Sequence, residues 1–239
     1  MKKVYIVIIA VVVVLVLVAG YLGFVPGLSY LLGASSPRDL GVRATPADFA
    51  SASTKLGRTV TKLDSGVAVD KSAVYVGSHP IDIQLSSEEF TATRQQGIYE
   101  YSPFGKDFQA KFNSDGTVEM SGVWIRDHIA SYGKAFKIND AEIQTLTDGL
   151  NKYQSDPAFY LKGTVTITNN VPDIKIQDAQ LGKVPIPTTV VPNDAVNQLV
   201  QETIQHIPGL SIDSLSISNG KMHIKGTYPD KIELASTTP

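Results

Sequence analysis

Residues 161–181 read LKGTVTITNNVPDIKIQDAQL, and this stretch decides the fold class. Leu161–Thr168 and Ile174–Leu181 alternate between apolar and polar side chains, and the turn-forming residues Asn169–Asp173 join them. Alternation of this kind is typical of strands with one buried face. The stretch therefore predicts two neighbouring antiparallel strands.

Two further hairpins are predicted on either side of this pair. One covers Phe108–Gly122 and turns at Asp115-Gly116, and the other covers Ile212–Tyr228 and turns at Asn219-Gly220. Asp-Gly and Asn-Gly supply the positive φ angles that a tight primed turn requires. A further half-buried strand is predicted to end at Leu85.

Capping patterns predict helices between the strands. Thr45 is followed by Pro46 and by Asp48, which is the pattern of a hydroxyl N-cap, and Gly57 marks the helix end. A second helix is predicted over Ser86–Gln96, with Ser86 and Glu89 as a capping box. A third is predicted from Asn139, which caps it with Glu142 three positions on; its apolar residues Ile143, Leu146, Leu150 and Tyr153 keep helical spacing. The last is predicted over Pro192–His206.

The last of these helices has the clearest apolar periodicity. Its apolar face comprises Val196, Leu199, Val200, Thr203, Ile204 and Ile207. Such a stripe is typical of an ordinary core helix. It also fits one wall of an elongated groove for an acyl chain, because ligand sites are concave and mostly apolar.

These elements predict an α+β fold with a long, curved antiparallel sheet and amphipathic helices packed on it. A parallel doubly wound fold is disfavoured, because strands and helices do not alternate strictly and the chain has no Gly-rich phosphate loop. The order of capped helix and hairpin occurs in residues 81–123 and again in 186–228. An internal duplication explains this order, and so does turn chemistry alone.

The N-terminus predicts a single membrane anchor over residues 1–25. Val4–Phe24 carries no charge and as a helix would be ~31 Å long, close to the ~30 Å of a bilayer core. Lys2 and Lys3 precede it, so the N-terminus is expected in the cytoplasm and the rest outside it at the cell membrane. A cleaved signal peptide is the alternative, although its apolar region is usually shorter, about 7–15 residues. Residues 26–44 are then a juxtamembrane linker, 45–232 an extracytoplasmic domain and 233–239 a disordered tail.

Composition excludes several classes of function. Apart from Lys2 and Lys3, 19 basic residues stand against 23 acidic ones, without a basic block, which argues against nucleic-acid binding. The chain has no Cys, so disulfides, thiolate zinc sites and thiol nucleophiles are ruled out.

The motifs predict no catalytic residue, metal site or cofactor. The four His residues do not have the spacing of a helical metal pair, and no nucleophile-elbow or Walker A motif is present. Asn113–Gly116 resembles the start of a calcium loop but is better explained as a hairpin turn. Asp127 and His128 could serve a hydrolase, but on a strand neighbouring side chains point to opposite faces.

Three segments resemble the layout of YpmS-like membrane-anchored proteins. They are Phe159–Gly163, Ala179–Pro187 with its Leu-Gly-x-x-Pro-Ile-Pro order, and Ser218–Met222; Ser86–Thr91 resembles the helix start of that group. Such proteins are similar to the tubular lipid-binding (TULIP) superfamily. The resemblance covers about residues 81–97 and 159–228 and implies a long sheet wrapped on a helix, with a lipid-holding groove. Residues 98–138 match no part of it, and it implies no catalytic residue.

The leading functional hypothesis is an extracytoplasmic protein that binds a lipid or other amphiphile. Its ligand-binding residues would be Val196, Leu199, Val200, Thr203 and Ile204. The alternative is a scaffolding subunit that binds an envelope protein through the sheet edge or through the Tyr99–Phe104 surface. An envelope hydrolase built on Asp127 and His128 ranks last.

Overall fold

The structure is a computed structural model that describes residues 2–22, 33, 36–63, 66–96, 104–141, 143–144, 148, 156–190 and 193–235. Residues 1 and 23–25 of the predicted anchor, most of the Tyr99–Phe104 surface and residues 236–239 of the predicted tail lie outside the described residues. So do Glu142, Leu146, Leu150 and Tyr153 of the helix predicted from Asn139. That helix does begin as expected, since Asn139 Oδ1 accepts a hydrogen bond from the Ala141 N–H at 2.9 Å.

Five helices have defined bounds: α1 Lys2–Leu22, α2 Pro46–Lys55, α3 Ser87–Gln95, α4 Arg126–Phe136 and α5 Asn193–His206. Short 3₁₀ turns cover Val69–Lys71 and Thr188–Val190. The side chains of α1 are described from position 11 to position 21. Within the described part of the chain, no helix is both long and apolar enough to cross a membrane. The anchor over residues 1–25 stays a prediction.

The larger sheet has eight antiparallel strands and curls strongly into a half-barrel. Its strands are β3 His79–Leu85, β4 Phe104–Phe112, β5 Thr117–Trp124, β6 Ala158–Thr168, β7 Val171–Leu181, β8 Val184–Pro185, β9 Ser211–Ser218 and β10 Lys221–Tyr228. The order is β3-β10-β9-β6-β5-β4, and β7 pairs with β6 and β8. The predicted α+β class and the curved antiparallel sheet are confirmed.

A smaller sheet has the order β1-β11-β2. Its strands are β1 Thr59–Leu63, β2 Ala73–Val76 and β11 Lys231–Ala235. Within it, β1 is parallel to β11, whereas β11 is antiparallel to β2. The sequence did not predict this sheet, because its strands are short and far apart in the chain. The predicted disordered tail is wrong over residues 233–235, which belong to β11 and pair with β1.

β-Bulges that contain glycine explain the curl of the larger sheet. The pairing register shifts between Lys162 and Gly163 where β6 meets β7, and between Lys225 and Gly226 where β10 meets β9. Gly226 has a φ of 152°, and a Cβ atom there would collide with the carbonyl oxygen of Ser211. Because a bulge bends its strand and increases the local twist, these bulges turn the sheet into a half-barrel.

Two hairpins end in turns with both central residues at positive φ. The values are 51° and 71° at Asn219 and Gly220, and 50° and 66° at Asn169 and Asn170. Positive φ at both positions defines a primed turn, so the prediction at Asn219-Gly220 is confirmed. The β6–β7 connection is tighter than predicted, because β7 already begins at Val171.

The turn between β4 and β5 differs from the prediction. Of its two key residues only Gly116 has a positive φ, 84°. The Gly116 N–H donates to the Asn113 carbonyl at 3.2 Å, and Asp115 Oδ1 accepts from the Thr117 N–H at 2.9 Å. The predicted primed turn is therefore wrong here. A three-residue loop with glycine in the left-handed position replaces it, and the Asp115 side chain caps the loop.

The predicted caps of α2 and α3 are confirmed. Thr45 and Asp48 form a reciprocal capping box, and so do Ser86 and Glu89. Glu89 also ties α3 to α2. The residue is 6 % exposed, and its carboxylate accepts hydrogen bonds from Ser51 Oγ at 2.6 Å, Lys55 Nζ at 2.7 Å and the Ser86 N–H at 2.9 Å. Burial alone would raise the pKa of Glu89, but these hydrogen bonds outweigh it and hold the pKa below its usual value.

Polar side chains of α3 cover the outer edge of β4. Ser87 Oγ accepts from the Phe112 N–H at 2.9 Å, and Thr91 Oγ1 accepts from the Ala110 N–H at 3.0 Å. Gln95 donates to a β4 carbonyl at 2.8 Å. Thr91 and Ala110 are both fully buried, so no water could take the place of this hydrogen bond.

Helix α5 covers the edge of β7 in the same way. Asn197 accepts from the Ile174 N–H at 2.8 Å and donates to the Ile174 carbonyl at 3.3 Å. Asn193 accepts from the Ile176 N–H at 3.2 Å. Both helices therefore run along rims of the half-barrel, held there by polar side chains.

Part of the predicted juxtamembrane linker packs against the outer face of the larger sheet. Leu40 and Val42 are buried against Tyr160, and the Arg38 guanidinium carbon lies 3.6 Å from the centre of the Tyr160 ring. Gln109 Oε1 accepts from the N–H groups of Leu40 and Val42 at 2.9 and 3.3 Å. This segment is docked on the domain and is not a free linker.

Candidate functional site: an apolar cavity inside the half-barrel

A cavity of about 500 Å³ lies between the inner face of the larger sheet, helices α3, α4 and α5, and the smaller sheet. Its walls are mostly apolar. The sheet contributes residues such as Leu85, Phe108, Met120, Trp124, Leu215, Met222 and Ile224, and the smaller sheet contributes Val60, Tyr75, Ile232 and Leu234.

Strand alternation explains the inner wall. Met120 and Trp124 lie on the same side of β5, and Gly122 lies between them. Gly122 pairs with Phe159 of β6, and a Cβ atom at Gly122 would stand only 3.1 Å from the Phe159 ring. The missing side chain makes room for this ring, which contacts Trp124 at a centroid distance of 5.2 Å. Glycine at this position therefore lets two aromatic side chains pack on neighbouring strands.

The structure places four of the five predicted ligand-binding residues beside this cavity. Leu199, Val200, Thr203 and Ile204 line it, whereas Val196 does not. Thr203 Oγ1 donates to the Leu199 carbonyl at 2.8 Å, so its hydroxyl is satisfied within the helix. Contact of these side chains with a ligand stays a prediction.

Helix α4 forms a wall that the sequence analysis missed. Ile129, Tyr132 and Phe136 line the cavity from this helix. Strand geometry is confirmed for Trp124, the last residue of β5, but is wrong for Asp127 and His128, because α4 begins at Arg126. The i, i+3, i+7 spacing of the three lining residues is the signal that indicates a helix here.

The hydrolase candidates are not arranged as a site around the cavity. Asp127 and His128 lie in the first turn of α4, and neither lines the cavity. Their relation is that of helical neighbours, whose side chains do not face each other. Among the described residues, no group of three His, Asp or Glu side chains could hold a metal ion.

Few polar groups line the cavity. Its charged lining residues are Arg58 and Arg94, and within the described part of the wall no Asp or Glu joins them. Burial raises the pKa of Tyr132 above its usual value, which favours the neutral phenol. The cavity is therefore an apolar space with a positive contribution from two guanidinium groups.

No family model, curated protein or solved structure matches the chain. The resemblance to YpmS-like and tubular lipid-binding proteins, and the duplication of residues 81–123 in 186–228, stay predictions.

Proposed function

We propose that this domain binds a lipid or other amphiphile in the cavity of the half-barrel. The observation that carries the proposal is the apolar cavity of about 500 Å³, which falls within the roughly 300–1,000 Å³ range of ligand sites. The curled sheet and the helices at its rims are compatible with a lipid-holding groove of the kind that the resemblance implies.

The apolar lining of the cavity supports an apolar occupant. Most of the lining side chains are aliphatic or aromatic, and contact of such surface with water is unfavourable. An apolar chain in the cavity would remove this surface from water, which contributes roughly 25 cal/mol per Å² of apolar area buried.

The proposal places the domain beside a membrane. The uncharged Val4–Phe24 segment after Lys2 and Lys3 supports a single-pass anchor with a cytoplasmic N-terminus and an extracytoplasmic domain. A protein held there would meet its amphiphile at the membrane surface. The scaffolding alternative has less support at the edges of β4 and β7, because α3 and α5 already cover them. It would have to use another edge, such as that of β3.

Native mass spectrometry of the full-length chain, released from detergent in the gas phase, tests the proposal. We expect a discrete added mass that disappears after organic extraction and matches a lipid or isoprenoid. A protein that carries only detergent, and takes up no lipid from a mixed lipid extract, would contradict it.

A further inference from the structure

The cavity contains an arginine with an unused hydrogen-bonding edge. Arg58 Nη1 donates to the Tyr228 hydroxyl at 2.8 Å, and the guanidinium carbon lies 5.7 Å from the centre of the Tyr228 ring. Arg58 Nε is buried and has no hydrogen-bond partner among the described residues. Nor does Arg58 form an ion pair there with a carboxylate.

The end of α2 fixes the position of this arginine. Gly57 has a φ of 60°, its N–H donates to the Thr54 carbonyl, and the Arg58 N–H donates to the Ser53 carbonyl, both at 3.1 Å. These two hydrogen bonds form a Schellman motif, which reverses the chain directly after the helix. Arg58 is therefore carried on a defined turn, and its side chain extends from there to the cavity wall.

The free edge of Arg58 fits an anionic oxygen group. With Nη1 occupied by Tyr228, the Nε and Nη2 side of the guanidinium presents two parallel N–H groups, which match a carboxylate or phosphate. A buried N–H without a partner is costly, and a ligand oxygen would satisfy it. An apolar space with such a donor pair at its wall suits a molecule with one charged end and one apolar end.

We infer that the ligand is an anionic amphiphile whose carboxylate or phosphate head binds the Nε–Nη2 edge of Arg58, while its apolar chain occupies the cavity. This inference rests on the proposed function and adds the chemical class of the ligand. Arg94, the other arginine of the wall, is exposed, and its guanidinium carbon lies 5.5 Å from the centre of the Phe90 ring. We assign the head to Arg58 rather than Arg94, because the buried Nε of Arg58 has no hydrogen-bond partner among the described residues.

Trp124 provides the readout, because it is the only tryptophan of the chain and lines the cavity. Dibromostearate and dibromostearyl alcohol carry the same quenching chain and differ in the charge of the head. Titration of each into the full-length protein, at a fixed detergent concentration, measures binding by quenching of Trp124 fluorescence. We expect the acid to bind at least about tenfold more tightly, as for a charge-assisted hydrogen-bond pair.

Two variants distinguish the two arginines of the cavity wall. Arg58→Gln should weaken binding of the acid by roughly 10- to 100-fold and leave binding of the alcohol unchanged. Arg94→Gln should keep the affinity for the acid within about threefold. Loss of acid binding in Arg94→Gln, with no loss in Arg58→Gln, would overturn the assignment of the head to Arg58.

The remaining outcomes separate this inference from the proposed function. Equal binding of acid and alcohol by the unmodified protein would refute the anionic head and leave amphiphile binding intact. Absence of quenching by both would refute the proposed function itself. If Arg58→Gln binds neither probe, Arg58→Lys tests whether the two-donor edge is needed, because lysine keeps the charge without that edge. Unchanged acid affinity in that variant would overturn the inference. Competition of bound dibromostearate by stearate and by lysophosphatidate then distinguishes a carboxylate from a phosphate head.

Discussion

Leu199→Asn tests the cavity directly. Leu199 lines the cavity from α5, whereas Val196, one turn earlier on the same helix, does not, and both side chains are half-buried. Asparagine has nearly the size of leucine but would set an amide against the ligand chain without a hydrogen-bond partner. In mutational data, burial of such an unpaired polar group costs about 1–3 kcal/mol of free energy. Affinity for dibromostearate should therefore fall by about 5- to 140-fold, at about 1.4 kcal/mol per factor of ten.

Quenching of Trp124 fluorescence measures this affinity, and Val196→Asn is the matched control. We expect the control to change the dissociation constant by less than about twofold, because Val196 does not line the cavity. Circular dichroism and thermal unfolding of the ligand-free variants monitor the fold. Because Leu199 is half-buried, its loss should cost about 1 kcal/mol of unfolding free energy. Equal weakening in both variants, or none in a folded Leu199→Asn, would refute the cavity as the binding site.

Two further predictions concern stability. Thr91→Val leaves the buried Ala110 N–H without its partner, so the free energy of unfolding measured in urea should fall by about 1–3 kcal/mol. The control Thr54→Val replaces an exposed threonine and should change this free energy by less than ~0.5 kcal/mol. The second prediction concerns pH. The pKa of Glu89 in the folded protein lies below its usual value of 4.5. Its contribution to the free energy of unfolding is therefore complete above pH 4.5 and is lost as the pH falls through the folded pKa. Glu89→Gln should therefore be less stable at pH 7 and lose less stability on acidification, measured by urea unfolding across pH; an equal effect of Glu88→Gln, in the same first turn, would contradict this.

The parts of the fold that the sequence predicted depend on contacts between residues close in the chain. The capping pairs Thr45–Asp48 and Ser86–Glu89, and the turn at Asn219-Gly220, are confirmed because each is specified within four residues. Helix α4 was missed because its first residues follow directly on a strand, and the apolar spacing that indicates it only becomes visible towards Phe136.

The cavity depends on contacts between distant residues, which one sequence does not reveal. The bulge at Gly226 exists only against Ser211, and the docked segment around Leu40 needs Gln109 and Tyr160. The apolar face of α5 was predicted, but the part of that face which lines the cavity was not. The first turns of α5 are attached to β7 through Asn193 and Asn197, so the cavity wall begins one turn after Val196.

The attachment of helices to the rims explains why the half-barrel keeps a cavity. Burial of apolar surface would draw α3 and α5 onto the inner face of the sheet. To move there, α3 would have to break its hydrogen bonds to β4, and α5 those from Asn193 and Asn197 to β7. Each buried backbone group of β4 left without a partner would cost about 1–3 kcal/mol, and loss of the hydrogen bonds to the partly buried groups of β7 adds to this, so both oppose the collapse. The polar side chains that bind α3 to β4 and α5 to β7 therefore keep the two helices at the rims. The apolar face of α5, including Leu199 and Ile204, remains turned to the cavity. A variant such as Thr91→Val should therefore weaken ligand binding as well as stability, because it releases one rim.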